Sequence, residues 1–376
     1  MLPQPPLWLI LIAFICALGP LVFFHELGHY LVARWFKIPA ETFSIGFGRE
    51  IVGWSDRQGT RWRVAWLPLG GYVKFIGDMT PASNPAELES IPEHLRDKAF
   101  QLRPVWQRFL VVLAGPMANF LLAILIFAAF FATVGMPSTN NAVVAVKSGG
   151  AADIAGIKPG DRIVSIGGRE TATFEEVSTI VVLRPSVQTN VIIERAGKVI
   201  ELPLTIRSAV ERDRFGQQYK VGRIGIVGGE RTYAKLSAAE LIPQATLYTL
   251  KLTRDMMDGL WQIITGRRGT EDIGGPIKIA QIAGQQATLG LLAFVQLLAL
   301  FSINLGFINL LPVPMLDGGH LVFYAVEGIR RRPLSARALE WAFRGGLAII
   351  LALVVFTTAN DLASLGLWDR LQRLIG

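Results

Sequence analysis

Four long apolar stretches divide this chain, and charged residues collect between them. The stretches run from about Leu7 to Phe36, Phe109 to Val134, Leu289 to Leu316 and Gly345 to Asn360. Each is long enough, or nearly so, to cross the roughly 30 Å hydrocarbon core of a bilayer as a helix. The pattern therefore predicts a polytopic α-helical membrane protein with about four transmembrane helices.

Composition agrees with this interpretation and excludes other classes. The chain has 376 residues, of which 51% are hydrophobic and only 18% are charged, whereas soluble domains are about one quarter charged. Its net charge of +8 comes from basic residues beside the apolar stretches, which fits the positive-inside rule and predicts no nucleic-acid partner. The single cysteine, Cys16, excludes a disulfide framework and a cysteine metal site within the chain.

The basic residues also predict an orientation. Arginines and lysines follow the first stretch and lie between the third and fourth, whereas none precedes the first. Both of those loops are therefore expected in the cytoplasm, and both chain ends on the outer side. A signal peptide begins with basic residues, and none precedes the first stretch, so that stretch is expected to be a retained transmembrane helix.

Residues 43–68, after the first stretch, alternate between apolar and polar side chains and are rich in β-branched and aromatic residues. A turn-like segment at 55–59 separates two such runs, which predicts a β-hairpin. Trp54, Trp62 and Trp66 suit a hairpin at the membrane interface, with an ordinary cytoplasmic hairpin as the alternative.

The segment 141–206, on the outer side, resembles a PDZ domain of bacterial proteases. It carries an alanine-rich turn at Ala151–Gly156 and a Pro-Gly-Asp turn at 159–161, which leads into a strand. The resemblance implies an α+β domain whose helix, Thr173–Leu183, flanks a groove that binds a peptide end by strand addition. A domain that only occludes the site is the alternative. Residues 236–264 then predict an amphipathic helix that lies on the outer membrane surface or packs against this domain.

The expected fold class is thus a polytopic α-helical membrane protein with an interfacial β-hairpin and an inserted extracytoplasmic PDZ domain. The expected segments, in chain order, are a first transmembrane helix (1–36), a cytoplasmic loop with the hairpin (37–108), a second transmembrane helix (109–134), the PDZ domain (135–208), a linker with a strand and the amphipathic helix (209–288), a third transmembrane helix (289–320), a cytoplasmic loop (321–344), and a fourth transmembrane helix with the C-terminus (345–376).

The candidate catalytic motif is His25-Glu26-Leu27-Gly28-His29, near the end of the first stretch. On a helix its two histidines lie one turn apart on the same face, so both imidazoles can bind one metal ion while Glu26 acts on water. Two buried helix histidines with satisfied hydrogen bonds are the alternative. Ionisable groups at membrane depth are costly unless they are paired or functional, which favours the metal site.

Asp317 is the best candidate for a third ligand, because a catalytic zinc usually takes three from the protein. It is the only carboxylate in or at the edge of the third stretch, where it needs a cationic partner. Pro312 and Pro314 break the helix before it, and such irregular backbone is tolerated at membrane depth where it lines a site. His320 is a weaker rival ligand, and an aspartate that caps a helix at the membrane surface is the alternative.

These motifs, in this order, resemble the site-2 protease family of intramembrane zinc metalloproteases, and within it the bacterial regulator of sigma-E proteases. The motifs are HELGH at 25–29, FSIGFG at 43–48, GGYVK at 70–74, AGPMAN at 114–119, GGPIKI at 274–279 and NLLPVPMLDGGH at 309–320. Those enzymes resemble two-PDZ proteins, whereas this chain has room for one PDZ domain. The resemblance therefore does not extend to gating by a PDZ pair.

The resemblance implies a role for each site residue. His25, His29 and Asp317 would hold one zinc ion, and Glu26 would be the general base. Asn309 would position the substrate or polarise its carbonyl group. Substrate contacts are expected from the hairpin, the second span and the broken third span, at Phe43, Ile45, Gly46, Phe47, Gly48, Asn119, Pro312 and Pro314.

The implied activity is a zinc endopeptidase of the bacterial inner membrane that cleaves single-span membrane proteins. The family suggests an anti-sigma factor already shortened by another protease, and remnant signal peptides, as substrates. The other expected partners are the lipid bilayer and a peptide end at the PDZ domain. The PDZ domain and both termini would be periplasmic, with the active site towards the cytoplasm. Two alternatives are a non-enzymatic membrane scaffold that recruits partners through the PDZ domain, and a metal transporter with the same ligands.

Overall fold

The structure, a computed structural model, describes residues 5–77, 96–138, 141–212, 218–228, 232–266 and 274–364. Part of the predicted cytoplasmic loop and both chain ends lie outside this range. The helices are α1 (Leu7–Trp35), α2 (Val105–Thr133), α3 (Ala151–Ile154), α4 (Phe174–Val182), α5 (Ala238–Ile264), α6 (Pro276–Thr288), α7 (Leu291–Asn309), α8 (Asp317–Arg330) and α9 (Ala336–Ser364). The strands are β1 (Ala40–Ser55), β2 (Arg61–Phe75), β3 (Met136–Ser138), β4 (Val143–Val146), β5 (Arg162–Ile166), β6 (Arg169–Glu170), β7 (Gln188–Arg195), β8 (Lys198–Thr205), β9 (Arg207–Arg212), β10 (Gln218–Arg223), β11 (Ile226–Gly228) and β12 (Thr232–Ala234).

Four of the described helices, α1, α2, α7 and α9, are long and apolar enough to cross a membrane. Their outward faces carry large apolar side chains, as lipid contact requires: Leu11 on α1, Leu121 on α2, Leu292 on α7 and Val355 on α9 are each more than half exposed. The predicted multi-pass helical membrane protein with an added β region is confirmed.

The third predicted span is interrupted at its two prolines. We expected one transmembrane helix over 289–320, but α7 ends at Asn309 and Asp317 begins the separate helix α8. Pro312 and Pro314 lack the N–H that would continue the helical hydrogen bonds. The predicted boundary is therefore wrong, and the break itself follows from the sequence.

Helices α1 and α2 approach each other through glycine and alanine. A Cβ atom on Gly28 would lie 2.4 Å from the carbonyl oxygen of Ala114 and 2.7 Å from the Cβ of Ala118. A Cβ atom on Gly115 would lie 2.2 Å from Nε2 of His29. Small residues thus bring the two backbones together, as is usual where helices pack in a membrane, and the histidine ring fills the space beside Gly115.

Helix α7 packs on the other side of α2, also closely. A Cβ atom on Gly306 would lie 3.0 Å from the carbonyl oxygen of Pro116. The Ser302 hydroxyl donates a 2.7 Å hydrogen bond to the backbone carbonyl of Asn119. Helix α2 is therefore held between α1 and α7 at the level of the predicted site.

The predicted hairpin is a bent two-strand unit that pairs with itself. Residues 42–45 of β1 pair with 71–74 of β2 on one side and with 61–64 on the other, while 50–55 pair with 61–65. The order across the sheet is therefore 50–55, 61–65, 42–45, 71–75, and among the described residues no further strand pairs with the two outer segments, which are its edges. The segment 71–75 lies beside α1, as the packing of Gly71 against Val22 shows.

Asp56, in the turn of this unit, links the sheet to α1. Its carboxylate accepts hydrogen bonds from the Tyr30 hydroxyl, the Trp62 indole N–H and the backbone N–H groups of Gln58 and Thr60. Burial alone would raise the pKa of Asp56, but these donors hold its pKa below the ordinary value. The charged carboxylate thus fixes the turn to the spanning helix.

The domain between α2 and α5, here called the outer domain after its predicted side of the membrane, contains each element predicted between 151 and 205. Strands β6, β5, β7 and β8 form one sheet in that order, and β7 and β8 turn at Ala196 and Gly197, both with positive φ. Helix α4 begins with a reciprocal cap between Thr173 and Glu176. Its assignment as a PDZ domain stays a prediction.

The predicted end of this domain at 208 is wrong. Strand β11 pairs with β4 at the start of the domain, and Ile224 is buried in the same core as Ile163 and Val177. The rest of the predicted linker packs on spanning helices: α6 lies against α1, where a Cβ on Gly284 would meet Ile10 at 2.7 Å. Sequence patterns did not reveal these contacts because they join residues far apart in the chain.

Helix α5 joins the outer domain to the spanning helices. On one side the Tyr248 ring packs edge-on against Phe127 and Phe131 of α2, with centroids 4.9 and 5.6 Å apart. On another, Lys251 Nζ lies 2.6 Å from Glu176 Oε1 of α4. The helix therefore packs on both the bundle and the domain; the contact with the domain agrees with one predicted alternative, and a position on the membrane surface stays a prediction.

Asp361 joins the outer end of α9 to α6. It is buried, and its carboxylate accepts hydrogen bonds of 2.9, 3.0 and 3.0 Å from the backbone N–H groups of Gly275, Ile277 and Lys278. These are the free donors of the first turn of α6, where a negative charge is favourable. Helix α9 itself begins at Ala336 rather than at 345, because a charged turn precedes its apolar part.

The close contact at Gly28 predicts a specific effect on stability. Gly28→Ala should force α1 and α2 apart and lower the free energy of unfolding by about 1–3 kcal/mol. Gly19→Ala, on the same helix with nothing within 4 Å of the added Cβ, should leave stability unchanged or raise it by up to about 1 kcal/mol. Thermal unfolding of the purified protein in detergent measures both, and equal midpoints for the two variants would contradict the packing described.

Candidate metal centre

His25 and His29 lie on one face of α1, turned towards α2. Their Nε2 atoms are 3.2 Å apart, and both residues are buried, with less than one tenth of their surface exposed. The four-residue spacing places them one above the other on a helix. The glycines at the α1–α2 contact leave the space that their rings occupy.

Asp317, the first residue of α8, brings a carboxylate to the same point. Its Oδ2 atom lies 3.1 Å from Nε2 of His25 and 3.5 Å from Nε2 of His29. Three donor atoms that each lie about 2.0–2.1 Å from a tetrahedral ion are about 3.3 Å apart. The observed triangle of 3.1, 3.2 and 3.5 Å therefore has the dimensions of a zinc site.

The hydrogen bonds around the triangle also fit a metal ion. Nδ1 of His29 lies 2.9 Å from the carbonyl oxygen of Val111. Because a carbonyl oxygen can only accept a hydrogen bond, Nδ1 carries the proton of the neutral ring, and Nε2 presents a lone pair. That lone pair faces Asp317 Oδ2, which is buried and has no hydrogen-bond partner in the described residues. Lone pairs that converge in a buried site repel unless a cation lies between them, so the donor set fits zinc.

A cavity of about 370 Å³ opens beside the three ligands. Glu26 and Asn309, the two predicted catalytic residues, both line it. The backbone N–H of Val73 hydrogen-bonds the Glu26 carboxylate, and a Cβ on Gly71 would lie 3.2 Å from Glu26 Cγ. Glu26 is therefore fixed between the ligand cluster and the edge strand of the sheet.

His320, the rival ligand, lines the cavity without joining the cluster. In the described part of the chain, the one group of three His, Cys, Asp or Glu side chains with ligand atoms within 4.8 Å of one another is His25, His29 and Asp317. The His320 ring instead packs against Phe343, with centroids 5.3 Å apart. The geometry favours Asp317 as the third ligand.

The substrate contacts predicted on the hairpin stay predictions, and these residues lie outside the lining of the cavity. They are Phe43, Ile45, Gly46, Phe47 and Gly48. Phe43 and Ile45 belong to an inner segment paired on both sides, so no free backbone groups there can accept an added strand. Phe47 instead stacks on Tyr72, with centroids 6.0 Å apart, at the outer rim.

Three further residues predicted to contact substrate do not line the cavity either, and their roles stay predictions. Asn119 is fully buried and its amide lies 3.1 Å from Nδ1 of His25, so it contacts a ligand rather than the cavity. Pro312 is exposed, and Pro314 packs against α9, where a Cβ on Gly346 would lie 2.2 Å from its carbonyl oxygen. The prolines shape the link before Asp317 and do not line the site.

The edge segment Gly70–Val73, together with Phe75, lines the cavity, and the motif analysis does not predict this position for it. A signal for it exists in the sequence, since the adjacent Gly70 and Gly71 mark a close backbone approach. The alternating pattern could not identify the edge, because strand order depends on how β1 and β2 bend. Only the pairing in the folded sheet separates the inner segment from the outer one.

Spanning helices that carry two histidines, a glutamate and a nearby carboxylate define a multi-pass membrane metalloenzyme. Comparison with known proteins makes the class specific, because the profile described as "Peptidase family M50" matches residues 13–353. "Putative zinc metalloprotease Atu1380" of Agrobacterium fabrum is 44% identical over 361 residues, which covers 94% of this chain and 96% of that protein. "Metalloprotease MmpA" of Caulobacter vibrioides is 37% identical over 381 residues and covers 94% and 95%.

The chain therefore belongs to peptidase family M50, the site-2 protease family. It is a zinc metalloprotease, as the motifs predicted, and the scaffold and transporter alternatives are wrong. The assignment of individual residues to the metal and to catalysis is a proposal that rests on the geometry above.

Metal content tests the ligand assignment directly. The purified protein should bind about one zinc ion per chain, and His25→Ala, His29→Ala and Asp317→Ala should each lose most of it, because two of three ligands seldom retain the ion. His320→Ala is the matched control and should keep its metal. Elemental analysis after dialysis against a weak chelator gives the number of zinc ions per chain. If His320→Ala loses its zinc and Asp317→Ala keeps it, His320 rather than Asp317 is the third ligand.

Proposed function

We propose that this protein is an intramembrane endopeptidase that cleaves single-span membrane proteins within or near their membrane segment. One observation carries the proposal: His25, Glu26 and His29 lie on the spanning helix α1, Asp317 reaches them from α8, and all four face a cavity with an edge strand in its wall. A hydrolytic site at this place can act on a chain that is itself in the bilayer.

The residues of the site have complementary chemical roles. When bound, zinc supplies Lewis-acid chemistry that polarises a peptide carbonyl and acidifies water. Glu26, held by the Val73 N–H, takes the proton from the attacking water and returns it to the nitrogen of the leaving amine. Asn309, at the last residue of α7 and on the cavity wall, is placed to donate its amide N–H to the substrate carbonyl oxygen.

The edge strand at 71–75 solves the problem of presenting a membrane helix to a protease. A transmembrane helix hides every peptide bond in its own hydrogen bonds, and unpaired backbone groups are costly in lipid. An exposed strand edge offers replacement partners, because it pairs with an extended chain by strand addition. We infer that an unwound substrate segment lies along 71–75 and crosses the site between Glu26 and Asn309.

The orientation and the biological substrates follow from charge and from the family. Basic residues after α1 and between α8 and α9 favour a cytoplasmic position for those loops, so the outer domain would be periplasmic in a bacterial inner membrane. The motif at 25–29 then lies in the cytoplasmic half of α1, where water reaches it from the cytoplasm. An anti-sigma factor already shortened by another protease, and remnant signal peptides, fit such a site.

The outer domain offers a groove for a peptide end. A mostly apolar cavity of about 450 Å³ lies between α4, at Phe174, Val177 and Val181, and the segment from Gly222 to Val227. A helix beside a strand is the arrangement in which PDZ domains bind peptides by strand addition. We propose that this groove recognises the new end of a trimmed substrate, or that the domain excludes substrates that have not been trimmed.

Loss of the Glu26 carboxylate tests the proposed chemistry. Glu26→Gln should reduce cleavage of a model single-span substrate by more than a hundredfold, because the amide cannot accept the proton from water, while zinc content stays at the wild-type level. Cleavage measured on gels with the protein in lipid vesicles gives the rate. If the glutamine variant cleaves at the wild-type rate, Glu26 takes no part in the reaction. If the variant loses its zinc, the role of Glu26 is structural.

A further inference from the structure

The second nitrogen of His25 faces Asn119. Nδ1 of the ring lies 3.1 Å from Nδ2 of the amide. The amide oxygen, Oδ1, is buried and has no hydrogen-bond partner in the part of the chain that the structure describes. Asn119 is fully buried, so water cannot satisfy that oxygen from the cavity.

A metal ion on His25 requires an acceptor at this position. When Nε2 of a neutral imidazole donates its lone pair to zinc, the proton must be on Nδ1, and Nδ1–H needs an oxygen to accept it. His29 already has one, the carbonyl of Val111 at 2.9 Å. For His25 the neighbouring group is the Asn119 amide, whose oxygen and nitrogen exchange places by a half-turn of the planar group with little change of shape.

The position of Asn119 is fixed independently of the metal site. Its backbone carbonyl accepts the 2.7 Å hydrogen bond from Ser302 of α7, and the close contact of Gly306 with Pro116 holds the same turn of α2. These contacts hold the turn of α2 that carries the amide beside the imidazole, and the buried amide presents one of its two polar atoms to Nδ1.

We propose that Asn119 is a positioning residue of the metal centre, whose amide oxygen accepts the Nδ1–H of His25 and so fixes the tautomer and the ring orientation in which Nε2 binds zinc. This inference rests on the ligand assignment proposed above. Asn119 would then accept a hydrogen bond from His25, as the carbonyl of Val111 does from His29. In this role Asn119 contacts a metal ligand and not the substrate.

Substitutions at Asn119 separate this role from simple packing. Asn119→Leu keeps the approximate shape and removes the acceptor, so zinc affinity should fall about 10- to 100-fold, as losses of such outer partners do. Asn119→Asp keeps an acceptor oxygen and should bind zinc within about threefold of the wild type or more tightly. Ser302→Ala removes one of the two contacts that hold this turn, but it leaves the acceptor and the Gly306–Pro116 contact in place, so zinc affinity should fall by less than in Asn119→Leu.

Zinc affinity is measured on the full-length protein in detergent, by competition with a chromophoric chelator, and thermal unfolding of each metal-free variant reports folding. Should the leucine variant fail to fold, Asn119→Ala removes the acceptor without added bulk and is expected to show the same loss of affinity. Wild-type affinity in the leucine or alanine variant would overturn the inference. So would a loss in the aspartate variant or in Ser302→Ala as large as that in the leucine variant. Retention of zinc by His25→Ala would instead refute the ligand assignment itself.

Discussion

The close approach of α1 and α2 is the contact on which the site depends. Gly28 lies against the backbone of Ala114, and the ring of His29 occupies the space that a side chain at 115 would fill. The same contact brings the carbonyl of Val111 and the amide of Asn119 to the two imidazoles. Two small residues on facing helices thus determine where both histidine ligands can lie, and a larger residue at either would displace them.

The break between α7 and α8 provides the third ligand. A continuous helix over 289–320 would carry Asp317 about 12 Å beyond Asn309 along its axis, at 1.5 Å per residue. Because the prolines end α7 at Asn309, the chain turns back and both residues face one cavity. Gly346 permits the link to pack on α9 at Pro314, so part of the irregular backbone lies against protein, where irregular backbone at membrane depth is tolerated.

Much of this arrangement could be predicted from the sequence, because its signals are local. The spacing of His25 and His29 fixes their common face on a helix, apolar length identifies the spanning helices, and a lone carboxylate beside two prolines indicates Asp317. The role proposed for Asn119 could not be predicted, and Gly70 and Gly71 indicate a close backbone approach without showing that 71–75 is an edge of the sheet. Asn119 meets His25 only through the packing of α1 on α2, and strand order depends on bends that no alternating pattern specifies.

The central claim is that the edge strand at 71–75 presents an extended substrate to the metal ligands. A structure of the Glu26→Gln protein with a bound single-span substrate segment tests it most directly. The account predicts that the substrate is unwound, pairs its backbone with residues 71–75, and places a carbonyl group between Asn309 and the three ligands. A substrate that stays helical in the cavity, or that pairs with the opposite edge at 50–55, would contradict it.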